Sequence, residues 1–290
     1  MSEPSVKEPV RVEYAMVTYE VPAPHVARIT MNRPKARNAQ DLQMTYDLNA
    51  AFDRAAQDDD IRVIIVAGAD PHFSSGHDLR GDGGKTWQDF PVVGNWTGFD
   101  KPGAEGLFAR EKEIYLEMCQ RWRDLPKPTI AQVQGKCIAG GLMLAWVCDL
   151  IVASDDAQFQ DPVLQMGVCG VEYFAHPFEL GVRKAKEWLF TSDWLSAEEA
   201  RQLGMVNRVV PRADLEAHTL ALAEQVAKKS SFALKMTKEA VNQCADAMGQ
   251  RTAMRAVFSL HQLCHSHNMR EFGMLVDPTG IAPTITKAAE

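Results

Sequence analysis

The strongest constraint in this sequence is a pair of glycine-containing loops, each directly after a strand-like segment. The first loop, 73–79, follows the β-branched apolar run at 62–67, and the second, 135–141, follows 129–133. Glycine lets the backbone come close to another group, and two amides aimed at one point from separate loops form an oxyanion hole. Either loop alone is an ordinary turn, but the pair predicts one shared site.

The segments around these loops predict an α/β fold. Strand-like runs at 15–21 and 26–31 precede a helix that should extend to about residue 56, with Asn38 as its N-cap. A further helix should occupy about 106–124. Alternation of short strands with helices in this order indicates a core built from ββα units.

The domain boundaries follow from where this alternation stops. Residues 13–200 are predicted to form the ββα core, and the amphipathic patterns within 201–270 predict a helical region. Residues 1–12 mix charges with prolines and lack the apolar stretch of a signal peptide, so we expect a disordered lead-in. Residues 271–290 carry no core pattern and are expected to form a tail.

Composition excludes several classes of protein. The formal net charge of −7 argues against nucleic-acid binding, which needs a basic surface. No run of 18 apolar residues is present, so we expect no membrane span. Six scattered cysteines without a Cys-x-x-Cys pair favour free thiols in a reducing compartment, and therefore a cytoplasmic location.

Other motif patterns give little support to phosphate-loop, metal-site or hydrolase functions. Residues 81–86 end like a phosphate-binding loop, but Leu79 stands where its first glycine belongs. His261 and His265 lie four residues apart on a predicted helix, yet the sequence offers no obvious third ligand, so we expect no metal site and surface or partly buried histidines. No Gly-x-Ser-x-Gly nucleophile motif occurs.

Several segments together resemble the crotonase (enoyl-CoA hydratase/isomerase) superfamily in order and spacing. They are 29–39 (Ile-Thr-Met-Asn-Arg-Pro-Lys-Ala-Arg-Asn-Ala), both glycine loops within 73–79 and 131–149, Ala157–Phe159 with Pro162, and 200–211. The resemblance covers roughly residues 15 to 270. It implies a superhelical spiral of ββα units with a C-terminal α-helical oligomerisation region that builds trimers, often dimers of trimers. It also implies an acyl-CoA thioester as substrate and no separate cofactor, because coenzyme A is part of the thioester.

The resemblance also assigns residues to roles. The oxyanion amides map to His77 and Gly140, and the imidazole of His77 is not required to do chemistry. The positions that contact coenzyme A map to Lys35, Ala36, Arg37, Ser75, Asp78 and Leu79. Lys35, Arg37 and Arg80 are expected to offset phosphate charge, the alternative being ordinary solvated cations.

The resemblance breaks at the acid/base positions. A hydratase of this family uses two glutamates for general acid/base catalysis, and these fall on Met143 and Val163, which transfer no proton. Other branches place a carboxylate slightly further on, near Glu172, where apolar neighbours would raise its pKa. Asp161 is the reserve candidate. The alternative for Glu172 is a structural ion pair with a cation such as Arg183 or Lys184.

Three functions therefore remain open at this stage. The first is an atypical enzyme that hydrates, isomerises or otherwise processes an acyl-CoA through an enolate. The second is a catalytically silent acyl-CoA-binding protein, and the third is a hydrolase whose water is activated by His77 or His176. Glu111 and Glu113, on the helix after the long loop 84–103, are further carboxylates that could face the pocket. Four aromatic residues of that loop suggest either a wall for a bulky acyl group or a contact with a neighbouring subunit: Trp87, Phe90, Trp96 and Phe99.

Overall fold

A computed structural model describes residues 10–280 of the chain. The strands in this range are β1 (Arg11–Glu13), β2 (Val17–Ala23), β3 (Val26–Met31), β4 (Val63–Gly68), β5 (Thr129–Val133), β6 (Lys136–Ile138), β7 (Leu150–Ser154), β8 (Gln158–Gln160), β9 (Leu195–Ser196) and β10 (Arg208–Val210). The helices are α1 (Leu42–Gln57), α2 (Gly103–Glu111), α3 (Met118–Arg123), α4 (Gly140–Trp146), α5 (His176–Leu180), α6 (Val182–Thr191), α7 (Ala197–Leu203), α8 (Leu215–Ala227), α9 (Ser231–Ala247) and α10 (Gln250–Phe272). A π-helical turn, Lys112–Glu117, joins α2 to α3.

Two sheets organise the core. The larger has the order β1-β2-β3-β4-β5-β7-β10, antiparallel from β1 to β3 and parallel from β3 onward, and the smaller has the order β6-β8-β9. Every residue of β4 and β5 is buried, as a parallel strand requires when both sheet faces are covered. One core lies on the α1 side of the large sheet, and a second, smaller core lies under α8.

The predicted α/β class with C-terminal helices is confirmed. The last strand of the large sheet, β10, lies beyond residue 200, and α8 packs directly on β4 and β5. β1 begins at Arg11, two residues before the expected start of the core. No helix among residues 10–280 is long and apolar enough to cross a membrane. Most of the predicted lead-in and part of the predicted tail, residues 1–9 and 281–290, lie outside the described range.

The N-cap of α1 was assigned wrongly from the sequence. Asp41 caps the helix, because its carboxylate accepts a hydrogen bond from the Met44 amide at 2.8 Å. Asn38 is fully buried with φ = 54° and donates through Nδ2 to the carbonyls of Ala69 and His72 at 2.7 and 2.8 Å. Asn38 therefore braces the start of the loop that precedes 73–79, a long-range role that local spacing does not reveal.

The two glycine loops lie side by side because β4 and β5 are adjacent and parallel. Loop 73–79 leaves the β4 end of the sheet and pairs with β6, where Ser74 bridges Cys137. Its other edge pairs with Gln40 through His77. The first loop is thus held between the start of α1 and the strand that leads into the second loop.

Candidate active site

A cavity of about 600 Å³ lies where the two loops meet α10. The first loop contributes Ser75, His77, Asp78 and Leu79, and the second contributes Ile138 and Ala139. The remaining lining residues come from the end of α2, from the π-turn, from 162–172 and from the C-terminal part: Glu111, Tyr115, Pro162, Val163, Met166, Val168, Val171, Glu172, His261, His265, Met269, Met274, Leu275 and Val276.

Glycine is needed where the loops touch. At Gly76, which has φ = +89°, an added Cβ would lie 2.9 Å from the carbonyl oxygen of Ile138 and 3.1 Å from the amide nitrogen of Gly140. At Gly140, an added Cβ would lie 2.5 Å from the imidazole of His77. Both positions therefore exclude a side chain, and the backbones approach as closely as the sequence predicted.

Neither the His77 amide nor the Gly140 amide donates a hydrogen bond within residues 10–280. The carbonyl of Gly76 accepts a hydrogen bond from the Gln40 amide, and the amide of Asp78 donates one to the Gln40 carbonyl. The N–H of His77, between them, therefore points away from Gln40. Gly140 is the first residue of α4, where helical amides have no intrahelical partner. Two neighbouring free amides can stabilise an oxyanion.

The imidazole of His77 occupies the same corner of the cavity. It stacks on the ring of Tyr115 with a centroid distance of 3.8 Å, and its Nδ1 lies 3.7 Å from Glu172 Oε1. Its Nε2 is buried without a hydrogen-bond partner in the described part of the chain. Burial lowers the pKa of His77, against the opposing effect of Glu172.

Glu172 lines the cavity and is only 4% exposed. Its Oε1 lies 3.4 Å from His261 Nε2, and its Oε2 has no partner among the described residues. Burial acts to raise the pKa of this carboxyl group, but His77 and His261 outweigh it and hold the pKa at about 2. The expectation of a raised pKa was therefore wrong, because imidazoles rather than apolar groups surround the carboxylate.

The expected alternative partner of Glu172 lies elsewhere. Lys184 pairs with Glu187 and Glu199 at 3.1 and 2.7 Å. Glu172 has the imidazoles of His77 and His261 as its neighbours instead, which places it inside a group of titratable side chains rather than in the structural ion pair considered from the sequence.

Glu172 and three further side chains, Glu111, His261 and His265, form a group that we call the acidic–imidazole cluster. The Nε2 atoms of His261 and His265 are 2.9 Å apart, and Glu111 Oε2 lies 3.5 Å from His265 Nε2. Burial and the charge of Glu172 raise the pKa of Glu111 to about 7. Burial lowers the pKa of His261, but Glu172 and Glu111 override it and raise the value to about 9.

Both histidines are buried, at 3% and 6% exposure, whereas the sequence predicted surface or partly buried side chains without a third ligand. Their spacing placed them on one face of α10. The opposing carboxylates, Glu111 of α2 and Glu172 before α5, face the cavity as the sequence suggested, but no local pattern indicated that they lie beside these histidines. Tyr115 was also missed, although its π-helical turn is the kind of irregularity that accompanies functional sites.

Asp161 is fully buried but does not line the cavity. Its carboxylate accepts from the amides of Val163 and Val171, both at 3.2 Å, and lies 2.7 Å from Nε2 of His176. His176 is also fully buried and outside the lining. This pair fixes the segment that ends at Glu172, and neither side chain faces the cavity.

The two apolar residues at the hydratase glutamate positions, Met143 and Val163, lie in different surroundings. Val163 lines the cavity, whereas Met143 is 1% exposed and packs in the core behind the lining. Neither has an atom that exchanges a proton.

The residues expected to contact coenzyme A lie around the first loop. Lys35 and Arg37 are exposed, Ala36 is half-buried, and neither cation forms an ion pair within residues 10–280. The amide of Ser75 donates to the carbonyl of Arg37 at 3.0 Å, which joins this turn to the cavity. Arg80, by contrast, is bound to Asp78 at 3.0 Å.

Asp78 itself is held by Arg33, also at 3.0 Å. Burial favours a higher pKa for Asp78, but the hydrogen bonds from Arg80 and Arg33 lower it. A charged, doubly paired carboxylate at this position shapes the loop.

The long loop 84–103 contributes nothing to the described lining of the cavity. Phe90 stacks on Tyr46 of α1 at 4.5 Å, and Trp96 packs on Phe108. Glu113, which is buried in the π-turn, accepts from the Gly94 amide at 2.8 Å and so ties the loop to the fold instead of facing the cavity.

Comparison with known proteins gives a consistent result. The family model described as enoyl-CoA hydratase/isomerase matches residues 23–91 and 103–276. "Putative enoyl-CoA hydratase EchA13" of Mycobacterium tuberculosis is 44% identical over 265 residues, 88% of this chain and 82% of that protein. A crystal structure of a probable enoyl-CoA hydratase from Mycobacterium smegmatis is 47% identical, with a TM-score of 0.81 over 90% of this chain and 99% of that one. An enoyl-CoA hydratase/isomerase structure from Xanthobacter autotrophicus is 31% identical, with a TM-score of 0.76 over 90% and 95% of the two chains. These neighbours confirm the crotonase-like fold predicted from the sequence.

Proposed function

We propose that this chain, which belongs to the enoyl-CoA hydratase/isomerase family and is an acyl-CoA enzyme of that type, stabilises a thioester enolate with the backbone amides of His77 and Gly140. The observation that carries the proposal is that the amides of His77, which lines the cavity, and of Gly140, which follows the lining residue Ala139, are both free in loops whose backbones touch at Gly76. A thioester oxygen placed against both N–H groups would be stabilised as negative charge develops on it.

Glu172 is the proposed proton-transferring group. It lines the same cavity as His77, lies 3.7 Å from that imidazole, and has one carboxylate oxygen without a partner. A single carboxylate can take a proton from one carbon of an enoyl thioester and return it to another, which shifts the double bond without adding water. We therefore favour isomerase-type chemistry, since both hydratase glutamate positions are apolar.

Hydration is the second candidate, and one observation favours it. Glu111 and Glu172 both line the cavity, and the ligand-type atoms of the acidic–imidazole cluster lie within 4.8 Å of one another. A relocated pair of carboxylates could divide the acid and base roles that two glutamates perform in a hydratase.

One experiment distinguishes isomerisation from hydration. Isomerisation of a 3-enoyl-CoA to the conjugated 2-enoyl-CoA and hydration of crotonyl-CoA are measured with wild type, Glu172→Gln and the exposed control Glu239→Gln. Isomerisation that is lost only in Glu172→Gln supports the first candidate, and hydration lost in the same variant supports the second. Tight acyl-CoA binding without either turnover would assign the role of a silent acyl-CoA-binding protein.

Binding of coenzyme A is proposed to use the turn 35–37 together with Ser75 and Leu79. Lys35 and Arg37 are exposed cations free to meet phosphate, and Ser75 is tied to the turn beside the cavity. Arg37→Ala should raise KM about tenfold, as expected for a lost charged hydrogen bond. The rise should vanish for an acyl-pantetheine substrate that lacks the phosphates, and a similar rise with both substrates would contradict the assignment. No separate organic cofactor is proposed.

A homotrimer or dimer of trimers is proposed for the assembly, in the cytoplasm. Support comes from apolar side chains left exposed on the C-terminal helices, among them Phe232 and Leu263 at 70% and 64% exposure. Light scattering of the purified chain tests this, because a species of 32.2 kDa would be a monomer and would contradict it.

A further inference from the structure

We propose that the acidic–imidazole cluster of Glu111, Glu172, His261 and His265 binds one divalent first-row transition-metal ion, with Zn²⁺ as the probe of choice. The four residues come from α2, from the segment before α5 and from α10, and they converge on one wall of the cavity. The inference stands on this geometry and does not require the reaction proposed above.

The separations of the donor atoms fit a single ion. A tetrahedral site with bonds of about 2.0–2.1 Å places its donor atoms about 3.3 Å apart. Here the two Nε2 atoms are 2.9 Å apart, His261 Nε2 lies 3.4 Å from Glu172 Oε1, and His265 Nε2 lies 3.5 Å from Glu111 Oε2. His261 Nε2 lies 3.9 Å from Glu111 Oε2, and all four donor atoms lie within 4.8 Å of one another.

The histidine tautomers also point to a cation. Nδ1 of His261 lies 2.8 Å from the carbonyl of Gly170, and Nδ1 of His265 lies 2.6 Å from the carbonyl of Leu275. A carbonyl oxygen only accepts, so each Nδ1 carries a proton and, in the neutral ring, each Nε2 presents a lone pair. Without a metal ion the 2.9 Å contact holds a proton, in line with the raised pKa of His261, and a metal ion bound by both Nε2 atoms would displace that proton. A backbone carbonyl on the far nitrogen is the usual outer contact of a metal-bound histidine.

The carboxylates add to the case because both are buried. Glu111 Oε2 accepts a hydrogen bond from Gln262 Nε2, whereas Glu172 Oε2 has no hydrogen-bond partner among residues 10–280, and a bound cation would offset part of the cost of burying two carboxylates side by side. Two imidazoles with two carboxylates form a donor set suited to Zn²⁺ and its first-row neighbours, whereas Mg²⁺ and Ca²⁺ prefer oxygen alone. If Oε1 of Glu172 holds the ion, Oε2 stays available, so the metal site and the proposed proton transfer are compatible.

Metal binding is tested on the full-length protein after treatment with a chelator. Titration calorimetry with Zn²⁺ should show one ion per chain, and Co²⁺ should give the visible absorption bands of a tetrahedral nitrogen–oxygen site. His265→Gln and Glu111→Gln should each weaken binding by at least about tenfold, while His267→Ala, an exposed histidine on the same helix, should bind like wild type. The wild-type Co²⁺ spectrum keeps the test valid even if a variant fails to fold.

Two results would overturn the proposal. No stoichiometric Zn²⁺ binding by wild type would mean that a proton occupies the space between the two Nε2 atoms. Equal weakening by His267→Ala would mean an adventitious surface site. Since neither measurement uses substrate, loss of metal binding leaves the proposed reaction untouched, and loss of catalysis with intact metal binding leaves the metal site untouched.

Discussion

The Nδ1 atom of His77 lies 3.7 Å from Oε1 of Glu172, so the loop after β4 and the segment before α5 meet inside one cavity. From the sequence, His77 was predicted to contribute its backbone amide and Glu172 its carboxylate, without any indication that the two side chains are in contact. Their contact means that an acyl group held at the His77 amide would lie close to a group able to move a proton.

Adding one methyl group at Gly76 should disturb the close packing of the two glycine loops. Gly76→Ala adds a Cβ beside the Ile138 carbonyl and the Gly140 amide, whereas Gly84→Ala adds one where nothing lies within 4 Å. Both positions have a left-handed backbone, with φ of +89° and +83°, so each substitution costs about 1–2 kcal/mol of backbone strain. Denaturant unfolding should therefore show a larger loss for Gly76→Ala, with catalysis reduced in that variant alone. Equal losses in both measures would contradict the close approach.

We expect Asp161 to stabilise the folded chain and to take no part in catalysis. Asp161→Asn removes the charge that two amides and His176 surround, and should cost about 2–4 kcal/mol of unfolding free energy. The measurement is urea unfolding beside the isomerisation and hydration assays used for Glu172→Gln. If the variant lost activity with an unchanged unfolding midpoint, Asp161 would have to be a catalytic group after all.

Some features of this fold were predictable because they depend on local spacing. The Ser-x-x-Glu spacing at 196–199 and the glycine at 204 are typical of helix ends, and in α7 Ser196 accepts from the Glu199 amide while Gly204 ends the helix in a left-handed conformation. The buried strand β4 also follows directly from its β-branched run.

Other features could not be predicted because they are set by distant contacts. Asn38 is a residue type that often caps helices, but its side chain donates hydrogen bonds to backbone carbonyls after β4 instead. The carboxylates beside His265 come from other elements, so no local pattern places Glu111 and Glu172 next to the histidines of α10. The pKa of Glu172 likewise depends on His77 and His261, which approach only in the folded chain.

Glu179 should make stability depend on pH. Burial raises the pKa of this α5 carboxyl group from 4.5 to about 7. Because the folded-state pKa is higher than the unfolded-state pKa, the folded chain binds the proton more tightly. The stability from this group is fully present below pH 4.5 and is lost as the pH rises through about 7. Glu179→Gln should therefore raise the melting temperature at pH 8.5, with the advantage shrinking towards pH 5.

Thermal unfolding across this pH range, with the exposed Glu239→Gln as control, checks the expectation. A constant difference between Glu179→Gln and wild type at every pH would show that the carboxyl group is not desolvated in the folded chain.

The most direct test of the central claim is exchange of the α-proton of a bound saturated acyl-CoA with deuterium oxide, followed by mass spectrometry. Wild type and Glu239→Gln should exchange, because an enolate held by the His77 and Gly140 amides makes the α-proton removable. Glu172→Gln should bind the same thioester with similar affinity and exchange at least about 100-fold more slowly, the loss typical of a missing general base. Undiminished exchange in Glu172→Gln, or none in wild type despite tight binding, would contradict the account.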